Sequence, residues 1–331
     1  MTKTIVTSLD EAQGAGGLAS REKSLALNSE LVKSTNQRAL QRNQASRWAS
    51  AAGGNKLTLS LVIPAYNEEG YLAACLSAIA NQTVLPDEVI VVDNGSTDKT
   101  VRIAEQYRFV KLVRESRRGV LFARNTGFGR ASSQIVGRID ADTMLPPRWV
   151  ENIKEAFADQ AVTAVTGPVS YYDMPFPAIN HYPDHLMRSS IYNWSPKSPF
   201  LFGSNMAIRK TAWEQLSPGL CQHQDIHEDL DLAVHLYKAG RKILYDKDLL
   251  AGASGRRYND SLAQFHGYMS MYRRTYLIHG LHSLAGYAAV SVYWAGYIVV
   301  HPFRKAWFNL YGLIRPLESL SQQARKNPMQ S

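Results

Sequence analysis

The sequence is short of cysteine: its 331 residues contain two, Cys75 and Cys221, far apart and in no CxxC spacing. That excludes a disulfide framework and a zinc ribbon, and it fits a reducing compartment. Both usual phosphate loops are also missing. Neither GxxxxGKS/T nor GxGxxG occurs, because Gly127-Phe128-Gly129 has no third glycine. Near the start, Lys3 is followed only by Thr4-Ile5-Val6 before Asp10, so a secretory apolar stretch is absent and the folded part is expected on the cytoplasmic side. Between Thr275 and Phe303 there is no Asp, Glu, Lys or Arg at all.

Of what is present, 45% is hydrophobic and 20% charged, enough apolar matter for a full core and too much for a disordered chain. The formal net charge is +9, but it is unevenly placed. Residues 1–50 hold seven Lys/Arg against four Asp/Glu, and residues 251–331 hold nine against two, which leaves the middle near neutral. Basic excess confined to the ends argues for contact with an anionic membrane surface, and against a nucleic-acid groove through the core.

Residues 1–56 are rich in Ser, Asn, Gln, Ala and Gly and read as a tail, with at most a weak helix around 21–47. From Leu59 short apolar runs alternate with amphipathic stretches: Leu59–Ile63, Glu68–Gln82, Val89–Val92, Asp98–Tyr107, Val110–Val113. The spacing predicts β-α-β-α-β, with Asn67 capping the first helix and Leu72, Cys75, Leu76 and Ile79 on its buried face. Gly119 to Arg130, Ile135–Ile139, Pro147–Ala158 and Val162–Thr166 continue the alternation, so the fold class is α/β with an open, mostly parallel sheet. A Pro-, Tyr- and His-rich excursion, Tyr171 to Pro199, interrupts it before Phe200–Arg209, a helix near Asp229–Ala239 and a strand at Lys242–Tyr245.

Open parallel sheets bind ligands beyond the carboxyl ends of their strands. Polar groups follow the apolar runs at Pro64-Ala65-Tyr66-Asn67-Glu68, Asp93-Asn94-Gly95-Ser96 and Asp140-Ala141-Asp142, and a later helix opens with Glu228-Asp229-Leu230-Asp231. Each alone could be a cap, a turn or a helix-start charge; together they converge on one sheet edge. Two carboxylates flanking a small residue can hold Mg²⁺ or Mn²⁺ against a diphosphate, which suits a chain without a phosphate loop.

These blocks, with Arg118-Gly-Val-Leu-Phe-Ala-Arg-Asn-Thr-Gly127 and Gly203-Ser-Asn-Met-Ala-Ile-Arg209, resemble the family 2 glycosyltransferases, nucleotide-sugar enzymes of the GT-A fold, from about Leu57 to Arg257. The resemblance implies a catalytic domain over 57–255, with a helical extension over 256–331. It places Pro64, Ala65, Tyr66, Asn67 and Glu68 along the base and ribose, Asp93 on the base, and Asn94, Arg118 and Arg124 near the nucleotide pocket. Asp140 and Ala141 would border the ribose or the metal's water shell, and Asp142 would bind a Mn or Mg cation. Asp229 would be the general base on the acceptor hydroxyl, with Asn205 and Glu228 on the acceptor or donor-sugar side, giving inversion. UDP is the expected nucleotide, and a lipid-linked or cell-envelope glycan the expected acceptor.

Processive relatives carry Gln-x-x-Arg-Trp, whereas Ser254-Gly-Arg-Arg257-Tyr258 stands here, which argues for one sugar per encounter. The uncharged run 275–303 is long enough for the roughly 20 residues a bilayer span needs, but its three histidines, His279, His282 and His301, and its basic pairs on both flanks suit a helix at the interface equally well. A buried helix of a soluble subdomain is the alternative. His223 and His227 beside Cys221 could form a metal pair, but structural roles are expected. Tyr171, Tyr172 and Trp194 could stack on sugar or simply pack the excursion. Two other readings, a sugar nucleotidyltransferase and an inactive membrane-binding relative, fit less well: Tyr66-Asn-Glu-Glu69 is acidic rather than basic, and the acids are intact.

Overall fold

The computed structural model describes residues 35–37, 57–174, 176, 180–195, 197–223 and 225–314, with side chains up to residue 304. The tail expected at 1–56 therefore lies outside the described residues except at 35–37. There the chain is docked rather than loose: Thr35 is buried near Ser77, and Asn36 donates to the Gln106 carbonyl.

The first half alternates as its periodicity requires: β1 (Leu59–Ala65), α1 (Leu72–Ala80), β2 (Glu88–Asp93), α2 (Thr100–Glu105), β3 (Val110–Arg114), α3 (Val120–Arg130), β4 (Ile135–Arg138), α4 (Trp149–Ala156) and β5 (Val162–Thr166). The second half adds β6 (Val169–Tyr171), α5 (His181–Trp194), β7 (Met206–Arg209), α6 (Lys210–Leu216), α7 (Glu228–Lys238), β8 (Lys242–Tyr245), β9 (Ala251–Ala253), α8 (Leu262–Ile278) and α9 (Leu284–Ile314). The seven-stranded sheet has the order β3-β2-β1-β4-β7-β5-β8, and β7 runs antiparallel to both of its neighbours while the other pairs are parallel. Strands β6 and β9 form a separate parallel pair.

Both faces of the sheet are covered, which is why its central strands read as unbroken apolar runs. Leu61 and Ile63 of β1 pack with Leu72, Leu76, Trp149 and Ile153 on one face; Val62, between them, packs with Phe128, Trp213 and Leu232 on the other. Truncating one of these to alanine would cost about 2–5 kcal/mol.

One local expectation needs correction, and two stretches gain detail. Asn67 does not cap the first helix, which starts at Leu72 without a side-chain cap. Its φ is +54°, and its Oδ1 accepts from the Thr97 amide at 2.8 Å, so the residue ties β1's end to the loop after β2. The excursion contains a regular helix, α5, with Pro183 in its first turn, where a missing amide costs nothing. The expected boundary at 255/256 falls inside a 3₁₀ turn, Gly255–Asn259, that reaches back toward the sheet.

Candidate active site

The chain ends of β2, β1 and β4 lie side by side, Ala65 pairing with Asp93 and Val62 with Arg138. This register delivers the three predicted clusters to one edge. Pro64 and Ala65 close β1, and the Asn94 amide donates to the Ala65 carbonyl at 2.9 Å. Asp93 is buried and its Oδ1 accepts from the Ser96 amide at 3.0 Å. Asn94 is a loop clamp: its Nδ2 donates to the carbonyls of Glu115 and Arg117, and its Oδ1 accepts from Gly119. Arg118 donates to the Asn94 carbonyl and lays its guanidinium over the Tyr66 ring at 4.2 Å, making a flat cationic and aromatic wall beside Asp93.

Arg124 and Asn205 turn out to work beneath the site. Arg124 has no exposed surface; it donates to the Glu228 carbonyl at 3.2 Å and sits among Phe128 and Trp213, and burial pulls its pKa down to about 10. Full enclosure keeps it from a ligand. Asn205 is equally closed off, accepting from Trp149 Nε1 at 2.8 Å and donating to the carbonyls of Pro168 and Leu249, so it locks β7 to its neighbours. Asn205 is thus found packing strands together rather than facing a ligand.

Past β4, Ala141 is buried in the core, leaving Asp140 and Asp142 to face the edge. Two arginines absent from the motif reading organise them. Arg138, at the end of β4, pairs with Asp140 at 3.3 Å and with Glu228 at 2.8 Å, tying the β4 edge to the start of α7. Arg256, on the Gly255–Asn259 turn, donates to both oxygens of Glu68 at 3.0 and 2.9 Å and to Asp142 Oδ2 at 2.5 Å, its guanidinium 4.0 Å above the Tyr71 ring. Arg138 was legible only as the residue two before Asp140; Arg256 stood in the block compared with Gln-x-x-Arg-Trp, where only the next residue, Arg257, has a counterpart. Asp140 and Asp142 form a hard-oxygen pair of the chemistry Mn²⁺ or Mg²⁺ prefers, so the donor set fits such an ion, with Arg256 as the competing cation.

Asp229 sits in the first turn of α7. Its Oδ2 accepts from the Gly203 amide at 2.7 Å, its Oδ1 accepts from Leu230 at 2.9 Å, and the His227 ring lies 3.6 Å away. Burial alone would raise its pKa, but the hydrogen bond and charge of His227, the charge of Arg138 and the Gly203 amide outweigh it and hold the carboxyl well below its usual range. His227 itself packs against Tyr272 and Tyr268. Cys221 meets Asp231 and His279 instead of the histidines near it in sequence: His279 Nε2 is 2.7 Å from Asp231 Oδ1, and Cys221 Sγ 3.9 Å from His279 Nε2.

A cavity opens from Asp140 and Asp142 between Tyr171, Phe202, Tyr258 and Tyr268, and its walls Phe202, Tyr272 and Tyr293 are shared with a second, apolar cavity lined by Met187, Ile191, Leu230 and Val290. Tyr172 donates to the Asp142 carbonyl at 2.8 Å, whereas Trp194 is 84% exposed at the end of α5.

Known proteins share parts of this sequence and its fold. Residues 60–217 match the model of glycosyl transferase family 2. The O-antigen chain rhamnosyltransferase RfbN of Salmonella typhimurium is 26% identical over 57% of this chain and 64% of its own length. Glycosyltransferase AglE of Haloferax volcanii is 34% identical over 34% of this chain and 40% of its own. The chain thus spans less than two thirds of the length of these relatives. The mannosyltransferase PcManGT from Pyrobaculum calidifontis, solved with GDP-Man and Mn²⁺, superposes with a TM-score of 0.53 at 19% identity, over 92% of this chain and 96% of that one, and shares the fold. Over residues 60–217, the segment that carries β1 to β5, β7 and the acidic clusters after β1, β2 and β4, this chain is similar to glycosyl transferase family 2.

Proposed function

We propose that the protein transfers a sugar from a nucleotide sugar, with UDP as the nucleotide, to the hydroxyl of a lipid-linked envelope glycan, with inversion at the anomeric carbon. The observation that carries this reading is the Arg138 bridge, because it joins the Asp140–Asp142 edge to the Glu228–Asp229 helix start in one buried network. Single displacement develops positive charge on the sugar and negative charge on the leaving diphosphate, so it needs a carboxylate base on one side and a cation on the other. Asp229, held ionised, takes the proton of the incoming hydroxyl. Asp142, with Asp140, would hold a divalent ion that stabilises the departing diphosphate charge. Tyr66, Arg118 and Asp93 supply a stacking wall and an acceptor for the base.

The acceptor class follows from what surrounds the site. The cavity at Asp142 shares the walls Phe202, Tyr272 and Tyr293 with the apolar one under α9, and Leu284–Arg304 is long and apolar enough to cross a membrane, with only 6% of its most apolar stretch buried. One face of α9 packs Tyr293 and Tyr297 onto Phe265 and Met269, while Leu284, Val292, Ile298, Val299 and Phe303 stay exposed. A helix packed on one side and greasy on the other suits a protein lying on a membrane, from which a lipid-linked acceptor enters beside the catalytic acids.

The test is nucleoside-diphosphate release from UDP-, GDP- and dTDP-sugars with Mn²⁺ or Mg²⁺, then with EDTA, comparing wild type with Asp142→Asn. Release from one donor class, abolished by EDTA and by Asp142→Asn, supports the reading. Absence of both release and metal-dependent nucleotide binding overturns it.

A further inference from the structure

The guanidinium of Arg256 occupies the ground that a metal at Asp142 would need. It is 4% exposed, it contacts Asp142 Oδ2 through both Nη2 and Nε, at 2.5 and 3.2 Å, and the same Nη2 reaches both oxygens of Glu68. Two buried carboxylates this near one another cannot both stay charged without a cation between them. Arg256 is that cation, and it is held there firmly. Its backbone amide donates to Ser254 Oγ; Ser254 Oγ and the Gly255 amide donate to Asp173; and Arg304 of α9 donates to the Asp173 carboxylate at 2.8 Å. The Tyr71 ring closes the other face of the guanidinium.

We propose that Arg256 is a positioning residue that competes with the divalent ion for Asp142. In the nucleotide-free protein the guanidinium satisfies Asp142 and Glu68, and the ion gains Asp142 only where the donor's diphosphate offers Arg256 a replacement anion. Metal and nucleotide then bind as a pair, which keeps the site from filling with metal alone. This rests on the reading of Asp142 as the metal ligand, and it adds a residue outside the family motifs together with an order of binding.

The experiment is a Mn²⁺ titration of the full chain without nucleotide, followed by the loss of the free-ion electron paramagnetic resonance signal. Arg256→Gln, which leaves the two carboxylates without their cation, is expected to bind Mn²⁺ at least tenfold more tightly than wild type, and the gain is expected to vanish in Arg256→Gln/Asp142→Asn. Equal affinity in wild type and Arg256→Gln overturns the proposal, as does a gain that survives Asp142→Asn. Should Arg256→Gln not fold by circular dichroism, Arg256→Lys carries the test: one ammonium cannot span both carboxylates, and Mn²⁺ affinity is expected to rise at least threefold, an unchanged value overturning the proposal. Because no donor is present, the outcome is independent of the release assay: loss of release with the Mn²⁺ difference intact would sink the transferase reading alone.

Discussion

Gly203 and Arg138 share one space: a Cβ on Gly203 would overlap the Arg138 guanidinium, and the Gly203 amide simultaneously donates to Asp229. The bridge between the two halves of the site therefore depends on a residue with no side chain. Gly203→Ala is expected to push Arg138 off Glu228 and to disturb Asp229 together with it, lowering turnover by about tenfold to a hundredfold, in keeping with small displacements at catalytic groups. Donor-release rates with matched thermal unfolding curves check this, because a purely structural effect would move the melting temperature alone.

Arg138→Gln should be harsher. It leaves Asp140 and Glu228 without the cation that neutralises them, and breaking such a buried pair costs about 3–5 kcal/mol. Urea unfolding monitored by tryptophan fluorescence measures the loss.

Asp229 sets a pH expectation. A carboxyl held below its usual range is ionised throughout neutral and mildly acidic conditions, so the base form persists and no acid limb in kcat/KM above about pH 5 should arise from it. By the same sign, its contribution to folding is present above the unfolded carboxyl pKa and is lost only as pH falls toward the folded one. Asp229→Asn should reduce turnover by about 10²–10⁴ without changing nucleotide affinity. A full pH–rate profile of both proteins is the measurement.

Asn205 distinguishes packing from substrate contact. Its amide makes three buried hydrogen bonds, so Asn205→Ala should destabilise by about 2–3 kcal/mol while leaving KM for the donor unchanged in the folded fraction. A raised KM with unchanged stability would assign it to the ligand.

Cys221 is the more accessible of the two thiols, and it should nonetheless react slowly. Burial first, and then the Asp231 carboxylate, push its pKa up to about 11, so about one thiol in a thousand is thiolate at pH 8. Iodoacetamide labelling is expected to accelerate about tenfold per pH unit between pH 8 and 10.

The exposed stripe on α9 gives the membrane test. Ile298→Glu with Val299→Glu should abolish sedimentation with anionic vesicles and leave nucleotide release in solution intact, since neither side chain touches the acids. On the proposed membrane-bound reading, each apolar side chain withdrawn from lipid would forfeit about 1.5–3 kcal/mol.

The sheet, its acidic edge and the apolar C-terminal run were determined by local pattern. Continuous runs such as Val89–Val92 encode a strand covered on both faces, and a polar cluster after each run encodes the ligand edge, because both depend on neighbours in sequence. Tertiary structure alone decided which charges meet. Arg256 reaches Glu68 across 188 positions and Asp142 across 114, Arg138 reaches Glu228, and Asn205 and Arg124 turn inward beneath the site. No spacing rule encodes such pairings: a buried charge takes its partner from whatever the packed chain brings within about 4 Å, and the cost of leaving it unpaired fixes the choice only once the core has closed.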